Sequence, residues 1–292
     1  MEVYIHIMSV LTVGGDLRYV WMTRLALEQS IDIKAVGLEN APFPIPHASW
    51  DALSHAEAVV LPNPWRSGLQ LPFAENTPPA LNEILSQIPD HTPILLSDAA
   101  SMPESVRGKT IINLSSDEEY ILKNAHLTAE GAIISAASLS QSALDGSPCL
   151  IIGYGRIGRR LAYLLNCMGA EVSIAVRRSA AADEVRRDGF QAHILGGLAQ
   201  LLPAMRFIFN TAPAQVLSET HLRRISPDAM LMDLASPPYG FDLDLARSLS
   251  VHAVRENGLP GRYYPYSAGA CLLGAVLRAL NSYRKGANLS CR

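Results

Sequence analysis

The run Gly153-Tyr154-Gly155-Arg156-Ile157-Gly158 constrains this chain more than any other stretch. It follows the apolar Cys149-Leu150-Ile151-Ile152 and opens into Arg159-Arg160-Leu161-Ala162-Tyr163-Leu164-Leu165, so it reads as strand, glycine turn and helix. The first glycine permits a tight turn, the second lets backbone approach a pyrophosphate, and the third packs helix on strand. The helix N-terminus then offers free N–H groups to phosphate oxygens. Such a motif is weak alone, but Glu171-Val172-Ser173-Ile174-Ala175-Val176 supplies the next strand at the spacing a dinucleotide-binding unit requires. Gly153, Tyr154, Gly155, Arg156, Ile157 and Gly158 are therefore the candidate pyrophosphate site.

The residues after that second strand bear on which dinucleotide binds. An acidic residue there would accept the ribose hydroxyls of NAD; this chain has Arg177-Arg178-Ser179, two guanidinium forks and a hydroxyl suited to a 2′-phosphate. NADP is the expected cofactor, with NAD possible because a two-arginine loop can accept both. The alternative is that the arginines are solvated loop charges.

At 292 residues the chain is long enough for two domains, and one dinucleotide unit does not account for it all. Hydrophobic content of 49% against 17% charged residues indicates a well-buried globular protein. A net charge of -3 gives no footprint for nucleic acid or an anionic membrane surface. The apolar start, Met1 to Val13, contains Glu2 and His6, lacks a basic leader and is too short to span a bilayer, so it reads as a first strand. The cysteines, Cys149, Cys167, Cys271 and Cys291, are widely spaced and suggest neither a disulfide framework nor a zinc site. A cytoplasmic location and no metal are expected.

The fold expected is α/β, with two domains joined by long helices: an N-terminal Rossmann-like α/β domain over 1–125 on the substrate side and an NAD(P)-binding Rossmann domain over 126–266. A C-terminal helix, 267–292, returns toward the first domain. Strands are predicted at Tyr4 to Val13, Ile33 to Leu38, Ala58 to Leu61, Ile94 to Ser97 and Thr110 to Leu114, with helices at Arg18 to Gln29 and Pro79 to Gln87, the latter with proline in its first turn. Alternation of this kind implies a parallel sheet covered by helices. Proline-rich loops lie at Ala41 to Pro46 and Leu61 to Pro79. Thr128 to Leu144 reads as a linker helix, stopped by Asp145-Gly146-Ser147-Pro148. Short strands follow at Ala192 to Ile194, Phe207 to Asn210, Met230 to Asp233 and Val251 to Ala253, then a long amphipathic helix from Ser267 to Tyr283.

In open α/β sheets ligands bind beyond the carboxyl ends of the strands. Asn210-Thr211-Ala212-Pro213 and Asp233-Leu234-Ala235-Ser236 occupy two such ends, and Gly258-Leu259-Pro260-Gly261 follows a third. Asn210, Thr211, Ala212, Pro213, Asp233, Ala235 and Ser236 are thus candidate cofactor contacts, although Asn and Thr are also expected helix caps and a buried Asp can simply tie loop amides together. Gly14-Gly15-Asp16-Leu17-Arg18 ends the first strand, where an arginine beside a glycine turn is a natural clamp for a carboxylate; the structural alternative is Asp16 as a helix cap. Thr128-Ala129-Glu130-Gly131 falls where the chain passes between domains, so Glu130 is a candidate base, or else supports a cap made by Thr128. His126 is adjacent and reads as structural.

Taken together, Gly14-Gly15-Asp16 with Arg18, Thr128-Ala129-Glu130-Gly131-Ala132-Ile133, Gly146-Ser147, the glycine turn, Asn210-Thr211-Ala212-Pro213, Asp233-Leu234-Ala235-Ser236, Gly258-Leu259-Pro260-Gly261 and Ser267-Ala268-Gly269 resemble, in order and spacing, the A subunits of dipicolinate synthase. The resemblance implies a fold like that of 2-hydroxyacid dehydrogenases and adenosylhomocysteinase. It also implies nicotinamide-dependent oxidation of a dihydrodipicolinate-type ring to dipicolinate during spore formation, with a flavoprotein-like B subunit; a homo-oligomer is expected as well. On that reading Glu130, Arg18 and Asp16 are catalytic, and Gly15, Thr128, Gly131, Pro260 and Ser267 face a small dicarboxylate substrate. The chain departs from the pattern at Tyr266, where a lysine is usual, and at Pro237-Pro238, where a glycine pair is usual.

Two other functions compete. A 2-hydroxyacid dehydrogenase wants a histidine acid/base after the last Rossmann strand, and no histidine occurs after His252. A nucleotide-binding regulatory or scaffold protein without chemistry of its own fits the lack of an obvious acid/base.

Overall fold

The computed structural model describes residues 9–63, 71–97, 106 and 108–290, with side chains described as far as Lys285. The chain forms two compact units, one made of residues 1–124 with 260–292, the other of residues 125–259.

In the first unit β1 (Val10–Val13), α1 (Leu17–Glu28), β2 (Ile33–Val36), β3 (Ala58–Val60), α2 (Leu81–Gln87), β4 (Ile94–Leu96) and β5 (Ile111–Asn113) alternate as the apolar runs predict. The strands are all parallel in the order β2-β1-β3-β4-β5, which is the flavodoxin-like order 2-1-3-4-5. Strand β1 is buried on both faces, as a parallel sheet covered by helices requires. Val10 faces a cluster with Tyr19, Met22, Leu95 and Tyr120, whereas Leu11 and Val13 face Leu53, Ile84 and Ile94. Residues Tyr4 to Met8 of the predicted first strand, Pro64 to Gln70 of the second proline-rich loop and Cys291 lie outside the described residues. Pro79 precedes α2 instead of occupying its first turn, because Ala80 is the residue that caps the helix.

The largest correction concerns the linker. Helix α3 runs Glu118–Leu139, starting ten residues before the Thr128 predicted to begin it. Asp117 starts it, its carboxylate accepting from Tyr120 N at 2.9 Å, and Glu118 and Glu119 add negative charge to the first turn. Thr128 and Glu130 therefore sit in the helix interior and neither caps nor supports a cap.

The second unit continues with β6 (Pro148–Ile152), α4 (Arg156–Cys167), β7 (Glu171–Val176), α5 (Ser179–Arg187), β8 (Gln191–Ile194), α6 (Leu198–Leu201), β9 (Phe207–Asn210), α7 (Glu219–Leu222), β10 (Met230–Asp233), α8 (Leu243–Ser248) and β11 (His252–Arg255). Its six parallel strands lie in the order β11-β10-β9-β6-β7-β8, the doubly wound order of a dinucleotide-binding sheet. Gly258-Leu259-Pro260-Gly261 is not a plain loop: Gly258 takes a positive φ and Leu259–Tyr263 forms the short helix α9. Helix α10 (Pro265–Ser290) then packs along α1, placing Leu272, Leu273, Val276 and Leu280 in the first unit's core. Full burial of such a side chain is worth about 2 kcal/mol, so this helix completes that core.

Candidate nucleotide and anion sites

In the second unit the point at which the strand order reverses falls between β6 and β9. The glycine turn stands there. Gly153 takes φ +100° and packs so tightly that a Cβ would lie 2.6 Å from Thr211 Oγ1, while a Cβ on Gly158 would strike the Gly153 carbonyl oxygen. The two outer glycines are thus demanded by the protein's own packing. Gly155, the N-cap of α4, is different: it is exposed, and a Cβ there would meet nothing within 4 Å. Open space beside a helix N-terminus at the switch point fits a pyrophosphate. Arg156 and Ile157 form the first turn of α4.

The side chain of Tyr154 turns to α5 instead. Its hydroxyl donates to Asp188 at 2.7 Å, and the Arg159 guanidinium lies 4.3 Å from its ring centroid while pairing with Glu184 and Asp188. Burial, then the bond to Asp188, pushes the Tyr154 phenol well above its usual range. Arg159 thereby neutralises the carboxylates on this flank of the turn.

Arg177 and Arg178 follow β7 directly, Arg178 being the N-cap of α5 with Ser179 as its first residue. Both arginines are exposed. Arg159, Arg160, Arg186, Arg187, Arg206, Arg223, Arg224, Arg247 and Arg255 of the second unit each have an acceptor; among the described residues Arg177 and Arg178 have none.

Asn210 and Asp233 differ from the expectation of direct cofactor contact. Both are fully buried, and β9 and β10 pair them in register. Asn210 Nδ2 donates to Asp233 Oδ1 at 2.8 Å and to Ala212 O at 3.0 Å; Asp233 in turn accepts from Ala235 N and Gly240 N, with Arg255 Nε 3.7 Å away. Their polar atoms are used in fixing the two loops that carry Thr211, Ala212, Pro213, Ala235 and Ser236. Of these, Pro213 and Ser236 are exposed, Ala235 is buried, and Thr211 donates to Ile152 O. The unusual Pro237-Pro238 bond is cis, and the Tyr239 ring that follows it stands 3.7 Å from the Arg255 guanidinium carbon. Sequence reading missed Arg255; its register opposite Asp233 on β11 is a relation between strands that the linear order does not display. In the middle of α3, Glu130 meets Arg160 of α4 at 3.3 Å and is half-buried, Thr128 is buried, and Gly131 is buried beside them.

In the first unit the corresponding switch lies between β1 and β3. Gly14 and Gly15 both take positive φ at the end of β1, and Asp16 caps α1, its Oδ1 accepting from Arg18 N at 3.0 Å. The same carboxylate meets Arg18 Nε at 2.9 Å and Nη2 at 2.8 Å, and Nη2 also donates to Asn63 O beyond β3 at 3.0 Å. Asp16 thus serves as cap and as partner of Arg18 at once. Burial opposes the arginine's charge, but the bond to Asp16 and the field of its neighbours outweigh it, and the guanidinium stays cationic with its side chain 11% exposed. Burial keeps the neighbouring Tyr19 phenol neutral, well above its usual range despite the nearby Arg18. Gly261 of α9 approaches so closely that a Cβ would come within 2.8 Å of Asp16 Oδ2. Pro260 is buried beside it, whereas Ser267 is exposed on the first turn of α10. Tyr266, at the position of the expected lysine, is exposed with its ring edge-on to Trp21 at 5.1 Å.

No helix among the described residues is long and apolar enough to cross a membrane. Residues 120–255 match the family described as D-isomer specific 2-hydroxyacid dehydrogenase, NAD binding domain. The A subunit of dipicolinate synthase from Bacillus subtilis (strain 168) is 24% identical over 288 residues, covering 94% of this chain and 96% of that protein. The crystal structure of that synthase component from Bacillus subtilis superimposes with a TM-score of 0.82 at 24% identity, covering 95% of this chain and 97% of that one. The crystal structure of its Bacillus halodurans counterpart gives 0.81 at 23% identity, covering 92% and 96%. The chain is a relative of the A subunit of dipicolinate synthase, similar to it over nearly all its length and built around an NAD-binding domain of the 2-hydroxyacid dehydrogenase kind.

Proposed function

We propose that this chain is an NADP-dependent oxidoreductase that oxidises a dihydrodipicolinate-type ring to dipicolinate in spore-forming cells, working with a flavoprotein-like B subunit. The observation that carries the cofactor half is the pair Arg177 and Arg178, left without acceptors among the described residues directly after β7, in a unit where nine other arginines have one. A bound nicotinamide dinucleotide supplies the hydride acceptor. The chain's own part is to seat the pyrophosphate at Gly155 and the first turn of α4, and to hold a 2′-phosphate between the two guanidinium groups. The substrate half rests on Arg18, a buried cation fixed by Asp16 and Asn63 at the switch point of the first sheet, suited to a carboxylate. Glu130 is the carboxylate assigned to accept the proton.

The test is NADPH formation by the purified chain, alone and with a B subunit, from freshly generated dihydrodipicolinate-type substrate with NADP or NAD. Turnover preferring NADP, lost in Arg18→Gln, supports the reading; NAD-preferring turnover removes the assignment of Arg177 and Arg178. A non-catalytic nucleotide-binding protein is the second reading, favoured by one observation: Asn210 and Asp233 are spent on loop structure. Tight nucleotide binding with no turnover in any combination would establish it.

A further inference from the structure

Beyond the carboxyl ends of β10 and β11 the second unit carries a cavity of about 480 Å³. Strand order sets it apart from the glycine turn, because β9 lies between β10 and the β6 that leads into that turn. Tyr239, Phe241, Asp242, Asp244 and Arg255 are among its walls. Arg255 ends β11, Asp242 caps α8, and Asp244 stands in the first turn of that helix. Tyr239 takes φ +67°, a left-handed backbone conformation that a bulky side chain rarely adopts. Its ring covers the Arg255 guanidinium, whose carbon lies 3.7 Å from the ring centroid.

A guanidinium stacked on a ring keeps its N–H groups directed outward in its own plane. Arg255 Nη2 donates to Phe241 O at 3.0 Å. Nε is buried and makes no hydrogen bond, the Asp233 carboxylate lying 3.7 Å away and already accepting from Asn210, Ala235 and Gly240. Among the described residues Nη1 has no acceptor. A cation with a spare N–H edge on a cavity wall is suited to a carboxylate. The two acids set a further condition. Asp242 accepts from Asp244 N and Leu245 N through Oδ1, and among the described residues nothing bonds its Oδ2. Asp244 has Arg247 at 3.7 Å and a side chain 95% exposed. One cation against two carboxylates gives the lining a net negative charge, so a ligand whose carboxylate meets Arg255 is favoured when it also brings positive charge.

We propose that this cavity is a second ligand site and takes a free basic amino acid, with the carboxylate on Arg255 and the two cationic groups toward Asp242 and Asp244. Tyr239 is a positioning residue that holds the guanidinium through its ring. The site requires neither the nucleotide nor the Arg18 clamp.

Calorimetric titration of the full chain with L-lysine and L-arginine, with their decarboxylated forms cadaverine and agmatine, and with L-glutamate tests it. The tighter of the two basic amino acids is expected to bind about tenfold better than its own decarboxylated form, the scale of a hydrogen bond to a charged group, and better than L-glutamate by at least as much. Arg255→Gln is expected to bring that amino acid down to the level of its amine without weakening the amine itself, a split that general loosening would not produce. Tyr239→Gly suits φ +67° and keeps the fold. It is expected to weaken the amino acid by about threefold, the scale of an exposed cation–π contact. Absence of binding by both basic amino acids at millimolar concentration overturns the inference. So does equal binding of the basic amino acids and L-glutamate, or native affinity in both variants. Circular dichroism melts identify any unfolded variant, and if Arg255→Gln is one, Tyr239→Gly decides.

Discussion

Gly269 of α10 lies so close to Arg18 of α1 that a Cβ on the glycine would stand 2.8 Å from the arginine's carbonyl oxygen. The glycine is there because two helix backbones meet, and the same contact would bring that Cβ within 2.7 Å of Trp21 Cβ. The helix that carries Arg18 is thereby set by a helix from the far end of the chain. Gly269→Leu is expected to destabilise the first unit by about 3 kcal/mol, at the upper end of overpacking costs. Urea unfolding would register it, and it should also weaken carboxylate binding because α1 must shift.

The glycine turn offers a contrast between two alanines. Gly155→Ala adds a methyl where nothing stands within 4 Å, so stability should change by about 1 kcal/mol or less, the scale of a capping change. Nucleotide affinity should nevertheless fall at least tenfold, because the methyl occupies the space assigned to the pyrophosphate. Gly158→Ala meets the Gly153 carbonyl and should cost about 2 kcal/mol of stability as well as the nucleotide. Equal nucleotide affinity in native and Gly155→Ala protein would rule out this pyrophosphate position.

The glycine turn, the strands at Phe207–Asn210 and Met230–Asp233 and the parallel α/β class were all legible from local pattern, because each is a property of consecutive residues. What was not legible depends on register. Asn210 and Asp233 are 23 residues apart and read separately as cofactor contacts; only when β9 pairs with β10 do they become partners with no exposure left. Ser97 and Tyr120 meet by the same kind of accident of topology. The early start of α3 was a different failure, since Asp117-Glu118-Glu119 is a local cap signal that the alanine-rich run further on outweighed.

Asp233→Ala should be among the most damaging changes in the second unit. It removes the acceptor of Asn210, Ala235 and Gly240 and leaves Arg255 facing a void, a loss of about 3–5 kcal/mol of the kind seen when a buried pair loses one member. Chemical unfolding monitored over the second unit would measure it. A cost below about 1 kcal/mol, the scale of one ordinary hydrogen bond, would mean that these loops are held by something else.

At the junction of α3 and α10, the Arg278 guanidinium holds the Asp117 carboxyl below its usual range. A carboxyl lowered on folding contributes stability above its unfolded value and loses it as pH falls through the folded one. Asp117→Asn keeps the helix cap and removes only the charge, so it should cost at most about 1 kcal/mol near neutral pH, discounted for solvent screening. Comparing the two melts from neutral pH downward should show the difference shrink below the ordinary carboxylate range. A difference that stays constant with pH would assign the contribution to packing.

The first unit is closed by α10, yet everything in the second unit lies between α10 and the rest of it in sequence. During synthesis the first sheet must therefore wait, its α1 face uncovered, while residues 125–259 are made. At about 5–20 residues per second that interval is roughly 7–27 s, ample for a chaperone to bind the waiting face. The nucleotide domain, continuous in sequence, is under no such delay, and it is the part of this protein that a ribosome can finish first.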